Sequence, residues 1–169
     1  MELLIIRHAA AEERDASRWP DDALRPLTER GRRRFAALVR RLAPKLGRPD
    51  VLLSSAYVRA WETAVVYADH ADAPDPVRCE ALEDPPAGCS LAQHVDRIFD
   101  ALVERSPRGF DTSHERVVIV GHEPSLGAFV SALLGARPGS IELRKGAMCL
   151  VEVDRVPRPG AGRLHWLVW

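Results

Sequence analysis

Two histidines close two apolar runs of the same design. "LLIIRH" brings Arg7 and His8 to the end of one, and "VVIVGH" brings His122 to the end of the other. An imidazole beside a guanidinium, both carried to the end of a buried strand, would lose hydration unless they had each other or a ligand to face. His8 alone would read as a hydrogen-bonded strand end, and Arg59 alone as a solvated helix residue. Their combination changes the reading, because Arg59 stands one turn past the strand-ending Ser54 and Ser55 in "LLSSAYVRAWETA" and can point back to the same place. The proposed pocket holds two guanidinium groups, two imidazoles, hydroxyls from Ser54 or Ser55, and free N–H groups at helix starts. Planar arginine forks and helix N-termini both suit phosphate oxygens. Two histidines among arginines point to one neutral nucleophile and one hydrogen-bond donor. Phosphoryl transfer asks little beyond positioning and charge neutralisation around an in-line attack. The cations would repel Mg²⁺ and no acidic cluster stands beside them, so neither a metal nor any other cofactor is expected.

The elements that must bring these residues together alternate. Residues 2 to 6 are a continuous apolar run, short enough for a strand covered on both faces. "LTERGRRRFAALVRRLAPKLG" sets Phe35, Leu38, Val39, Leu42 and Leu46 at helical spacing, with Gly47 and Pro49 ending the helix. "DVLLSS" is a second strand and "AYVRAWETAVVYADH" a second helix, whose core face is expected at Val58, Trp61, Val65 and Ala68. A short strand is expected near residues 77 to 79. "SLAQHVDRIFDALVERSP" gives a third helix with a capping box from Ser90 and Gln93. "RVVIVG" is a central strand, and "PSLGAFVSALLG" a fourth helix with Pro124 in its first turn. The tail "AMCLVEVDRVPRPGAGRLHWLVW" reads as two strands joined by a Pro/Gly loop. This predicts one α/β domain over 1–169, in three α/β/α layers, with a mostly parallel sheet and a C-terminal antiparallel hairpin. Ligands of such sheets sit beyond the carboxyl ends of the strands, which puts Arg7-His8, Ser54-Ser55 and Gly121-His122 on one rim.

Composition limits the partners. The chain has 169 residues, 46% apolar and 28% charged, with 24 basic and 24 acidic side chains. That balance argues for a soluble globular protein and gives no general attraction to nucleic acid or anionic membrane. The run Arg30, Arg32, Arg33, Arg34, Arg40 and Arg41 lacks interleaved aromatics and reads as an exposed helix face. No apolar stretch reaches the ~18 residues of a membrane span, and Glu2 in the first strand speaks against a signal peptide. Cys79, Cys89 and Cys149 are odd in number and lack a CxxC spacing, so they read as reduced packing or surface residues of a cytoplasmic protein. His70, His94, His114 and His165 share no metal-ligand spacing.

"LIIRHA", "LRPLTERG", "LLSSAYVRAWETA" and "VVIVGHEPSLG" resemble, in order, the motifs of the histidine phosphatase superfamily, whose fold is phosphoglycerate mutase-like. The compact length and the RPLT segment look most like its SixA-type phosphohistidine phosphatases. The resemblance implies that His8 takes the phosphoryl group and that Arg7, Arg59 and His122 complete the phosphate pocket. It also implies a substrate-side role for Arg25; Ser55, from the strand-end hydroxyls, is expected to bind substrate as well. Two departures stand out. Ala9 follows the histidine where the family usually has glycine, which is harmless if the backbone keeps negative φ there. The mutase-like members carry an acidic proton donor in a longer insertion that this chain lacks; its candidates are Glu80, Glu83 and Asp84, with Glu83 the possible proton donor.

A site with no obvious acid favours a leaving group that needs little help. An alkoxide does need a donor, whereas an imidazole, with a conjugate-acid pKa of ~6.5, can be protonated by solvent. The expected function is therefore a metal-independent phosphatase that works through phosphohistidine at His8 on a phosphorylated partner, such as a histidine-containing phosphotransfer domain. A phosphatase for small phosphate esters is the alternative within the enzymes. A non-catalytic phosphate-binding module is the alternative outside them.

Overall fold

The runs Leu3–Ile6 and Val117–Val120 are apolar without alternation because both faces of their strands are covered. Leu3, Ile5, Val117 and Ile119 enter one core cluster, and Leu4, Ile6, Val118 and Val120 enter the other. The structure, a computed structural model, describes residues 1–105, 115–154 and 156–169. Its strands are β1 (Glu2–Arg7), β2 (Val51–Ser54), β3 (Val77–Arg78), β4 (Arg116–Gly121), β5 (Met148–Val153) and β6 (Gly162–Val168). They form one sheet in the order β3-β2-β4-β1-β5-β6. The pairs among β1, β2, β3 and β4 are parallel, and β5 joins β1 and β6 antiparallel. The α/β fold and its terminal hairpin are as expected.

Helices α1 (Glu29–Leu42) and α2 (Val58–Ala71) pack on one face of the sheet. Helices α3 (Leu91–Glu104) and α4 (Ser125–Leu133) pack on the other. The chain therefore leaves β1 towards one face and β4 towards the opposite face. Two adjacent parallel strands with diverging exits open a crevice at their carboxyl ends. His8 and His122 stand there.

Three expectations need correction. Helix α1 ends at Leu42, short of Gly47, and passes into a 3-10 turn at Ala43–Lys45. Pro44 has no N–H to continue the ladder, so it stops the helix before the glycine does. The face of α2 is rotated from the Val58-Trp61-Val65-Ala68 stripe to Arg59, Ala60, Thr63, Ala64, Tyr67 and Ala71. Hydropathy places arginine and threonine outward, but here they belong to the site. Pro124 occupies the N-cap of α4 rather than its first turn. The Ser90–Gln93 capping box is present as expected, with the Ser90 N–H donating to Gln93 Oε1 at 2.9 Å and the Gln93 N–H donating to Ser90 Oγ at 3.2 Å. The last residues of the "SLAQHVDRIFDALVERSP" stretch, 106 and 107, lie outside the described residues, as does His114. Cys79 and Cys149 are buried, Cys89 is half-buried, and all three are free thiols. Burial pushes the Cys149 thiol up to about 12, which suits a packing role. Among the described residues no helix is long and apolar enough to cross a membrane.

Candidate active site

Strand register assembles the centre of the site. Arg7 pairs with Gly121, so the next residue of each strand, His8 and His122, emerges side by side. Their ring centroids are 5.2 Å apart, about one spacing between neighbouring strands. Ser54 pairs with Val120, and the Ser55 N–H donates to the Val120 carbonyl at 3.0 Å, which brings Ser55 to the same rim. Residues separated by more than a hundred positions thus meet through the ladder.

His8 is 5% exposed and its orientation is fixed. Nδ1 lies 2.7 Å from the Ala9 carbonyl oxygen. A carbonyl can only accept, so Nδ1 carries the proton and Nε2 keeps its lone pair. The Ala9 N–H donates to Thr63 Oγ1 at 3.0 Å, and Thr63 in turn donates to the Arg59 carbonyl at 2.7 Å. The Gly146 N–H donates to the His8 carbonyl at 3.0 Å. Among the described residues Asp72 alone has positive φ without being glycine, so Ala9 has the negative φ that makes its methyl harmless. Burial, followed by the charges of Arg59, Arg7 and Lys145, pushes the His8 pKa down to about 3 despite the Ala9 hydrogen bond. Burial with Arg59, His8 and Arg7 pushes His122 down to about 2. Both imidazoles are neutral at pH 7.

Arg7 Nη1 donates to the Leu143 carbonyl at 2.6 Å, and the Leu143 N–H donates to Glu123 Oε1 at 3.0 Å. Arg59, 3% exposed, sends Nη1 to the Asp22 carbonyl at 2.8 Å and lies 3.1 Å from Asp22 Oδ2. Arg25 is buried, but its fork is already committed. Nε donates to Asp22 Oδ1 at 2.9 Å, Nη2 to Oδ2 at 3.3 Å, and Nη1 to the Glu12 carbonyl at 2.8 Å. Arg25 therefore reaches the pocket through Asp22. Arg14 holds the same carboxylate from the solvent side. Hydrogen bonding from Arg25 is the largest of the effects that hold the Asp22 carboxyl well below the usual carboxylate range.

Ser55 is fully buried. Its Oγ accepts the Tyr57 N–H at 3.2 Å and lies 2.9 Å from His122 Nε2. The hydroxyl proton can go to Nε2, which leaves Nδ1–H as the free donor of His122. Glu83 is half-buried at the rim, where Oε1 accepts the Ala56 N–H over a long 3.4 Å. Three buried nitrogens of the site, Arg7 Nε, Arg59 Nε and His122 Nδ1, have no partner among the described residues. Unpartnered buried donors are rare, and three on residues that neighbour His8 suit an oxyanion.

The site thus contains all four residues expected to form the phosphate pocket, with Ser55 behind His122 and Arg25 behind Asp22. Sequence reasoning missed Asp22, Thr63 and Lys145. Thr63 carried a signal, since it sits four positions after Arg59 and shares its helix face. Asp22, three residues before Arg25 in "DDALRPLT", carried a weaker one.

A buried neutral imidazole among arginines, at the carboxyl ends of the parallel strands of a mixed sheet, makes a candidate oxyanion site in an α/β protein. The chain belongs to the histidine phosphatase superfamily: the model of its branch 1 matches residues 3–84. An uncharacterised protein of Picosynechococcus sp. is 30% identical over 166 residues, covering 98% of this chain and 89% of the relative. A protein of Nakamurella multipartitia assigned to the SixA phosphohistidine phosphatases superposes with a TM-score of 0.75 at 20% identity, covering 99% of this chain and 95% of that one. The protein histidine phosphatase SixA complexed with tungstate gives 0.73 at 22% identity, over 99% and 96% of the two chains. A mycobacterial glucosyl-3-phosphoglycerate phosphatase gives 0.67 at 18% identity, over 99% and 98%.

Proposed function

We propose that the chain is a phosphatase that passes a phosphoryl group through Nε2 of His8, and that its substrate is phosphohistidine in a partner protein. The observation that carries this reading is the set of unpartnered donors on Arg7, Arg59 and His122 around an imidazole whose lone pair is fixed outward from the Ala9 hydrogen bond. The Nε2 lone pair attacks phosphorus while the three donors hold the equatorial oxygens. The bond from phosphorus to the leaving imidazole breaks, and that imidazole takes its proton from water. Water then attacks phospho-His8, the P–N bond breaks, and His8 returns to its neutral form with Nδ1 still protonated. The Ala9 carbonyl serves in the intermediate, where the ring carries positive charge and the Nδ1–H bond strengthens.

The test is incubation with a histidine-containing phosphotransfer domain labelled with ³²P on histidine. Phosphate release, transient label on His8, its loss in His8→Ala and full activity in excess EDTA are expected. Retained turnover in His8→Ala, or a strict metal requirement, overturns the mechanism. A chain that binds phosphate yet never takes label is a binding module instead.

A second reading has one observation in its favour. Glu83 stands at the rim beside Ala56, where a proton donor for an ester would be useful. In that case the substrates are small phosphate esters, and Glu83→Gln lowers ester turnover while sparing phosphohistidine.

A further inference from the structure

The arginines of α1, read from sequence as a plain solvated face, divide into two groups in the structure. Arg32 pairs with Glu62 at 2.7 Å, Arg33 with Glu29 at 3.4 Å, and Arg40 Nη1 lies 3.5 Å from His70 Nε2. Among the described residues Arg30, Arg34 and Arg41 have no such partner. Of these it is Arg34 and Arg41, two turns apart and about 10 Å along the helix, that share one side of a groove of about 620 Å³ between α1 and the turn at residues 144–146. Arg144 and Lys145 line its other side, so every charged side chain of the groove is cationic. None of the four forms an ion pair with any described residue. About half of the other described arginines do, including Arg14, Arg25, Arg59, Arg116 and Arg163.

The groove joins the catalytic centre. Ala9, which fixes the His8 ring, and Gly146, which donates to the His8 carbonyl, both line it. Lys145 is close enough to lower the His8 pKa. The Trp169 ring, 61% exposed, flanks it under the Arg144 guanidinium at 4.8 Å. From Gly31 to Arg41 the groove follows α1 for about 15 Å, longer than a small phosphate ester. Unpaired cations of one sign, with an aromatic ring at the margin, fit an extended anionic chain with apolar atoms between its charges.

We propose that this groove docks an acidic segment flanking the phosphorylated residue of a protein substrate. The inference rests on the phosphohistidine-protein reading and adds which proteins the site selects: those with Asp or Glu within a few residues of the phosphohistidine.

The experiment uses two phosphohistidine peptides of equal length, prepared with phosphoramidate, one flanked by Asp and Glu and the other by Ser. The wild-type chain is expected to favour the acidic peptide roughly tenfold in kcat/KM, through KM, and less so at high salt. Arg34→Gln with Arg41→Gln, both on exposed positions, is expected to bring that preference below about twofold while free phosphohistidine turnover stays unchanged. Equal use of both peptides by the wild type overturns the proposal. So does an equal loss by the double variant on phosphoglycolate, which would make the groove a small-molecule subsite. Tighter anisotropy binding of a fluorescein-labelled oligonucleotide than of the acidic peptide also overturns it, in favour of nucleic acid. Failure to cleave either peptide, with p-nitrophenyl phosphate still cleaved, defeats the phosphohistidine reading instead. The groove is then judged on binding of the labelled, unphosphorylated acidic peptide. Loss in the double variant upholds it, and unchanged binding or none to the wild type overturns it.

Discussion

At the scale of single residues, the proposed mechanism requires a nucleophile that stays neutral among cations. Burial is the main reason that the His8 pKa falls to about 3, and the charges of Arg59, Arg7 and Lys145 add to it. An exposed histidine would be half protonated near pH 6.5 and would lose its lone pair there. The His8 ring is therefore expected to show no titration between pH 8 and 5 when its Cε1–H resonance is followed by NMR in the ligand-free protein. A midpoint near 6.5 would mean that the ring is solvated and the pocket open. Composition cannot convey this shift, because it depends on how deeply the ring is buried and on which cations end up beside it. The residue types were legible in "RH", "VRA" and "GH"; the Ala9 hydrogen bond that selects the tautomer was not.

At the scale of elements, two pieces hold the loop between β1 and α1. Gly31 lets α1 start against the segment after His8: a Cβ there would stand 2.1 Å from the Ala10 carbonyl oxygen. Glycine to alanine inside a helix ordinarily stabilises by about 0.5–1 kcal/mol. Gly31→Ala is expected to do the reverse and lower the urea midpoint, because the neighbour is backbone and must shift along with His8. A stabilised variant would contradict the packing. The second piece is the Asp22 turn, whose carboxylate binds Arg14, Arg25 and Arg59 at once. Asp22→Asn removes that charge from beside the phosphate pocket and loosens Arg59. Steady-state kinetics is expected to show kcat down by about tenfold, as for a lost positioning contact. Inorganic phosphate is expected to inhibit more strongly, since the pocket has gained net positive charge. Unchanged phosphate inhibition would mean that Asp22 does not compete for Arg59. The rotated face of α2 belongs here too, since Arg59 and Thr63 break the hydropathy pattern to reach the site.

At the scale of the whole molecule, two buried neutral imidazoles make stability depend on pH. The folded pKa values of His8 and His122 lie below the unfolded value of ~6.5, so the unfolded chain binds more protons as acid is added. Their contribution is complete above about pH 6.5 and is lost as pH falls towards 3 and 2. Asp22, whose pKa is also depressed, adds a further loss below the ordinary carboxylate value of ~3.9. The urea midpoint is expected to drop between pH 7 and 4, with a shallower drop in His8→Asn. A midpoint that is level over that window would contradict neutral burial of both rings. Phosphate should restore part of the loss, because an anion among the imidazoles offsets the cost of protonating them.

By itself the sequence determined the layers and the rim. Unbroken apolar runs require strands covered on both faces, and alternation with amphipathic helices requires a parallel sheet whose strand ends carry the reactive residues. Those are local patterns, readable wherever they occur. Tertiary structure alone decided that Arg7 lies opposite Gly121, that Asp22 holds Arg59, and that Arg34 and Arg41 face Arg144 and Lys145. Each of these depends on register or on the path of a loop. Such choices are made by contacts between distant segments, which no window of neighbouring residues contains.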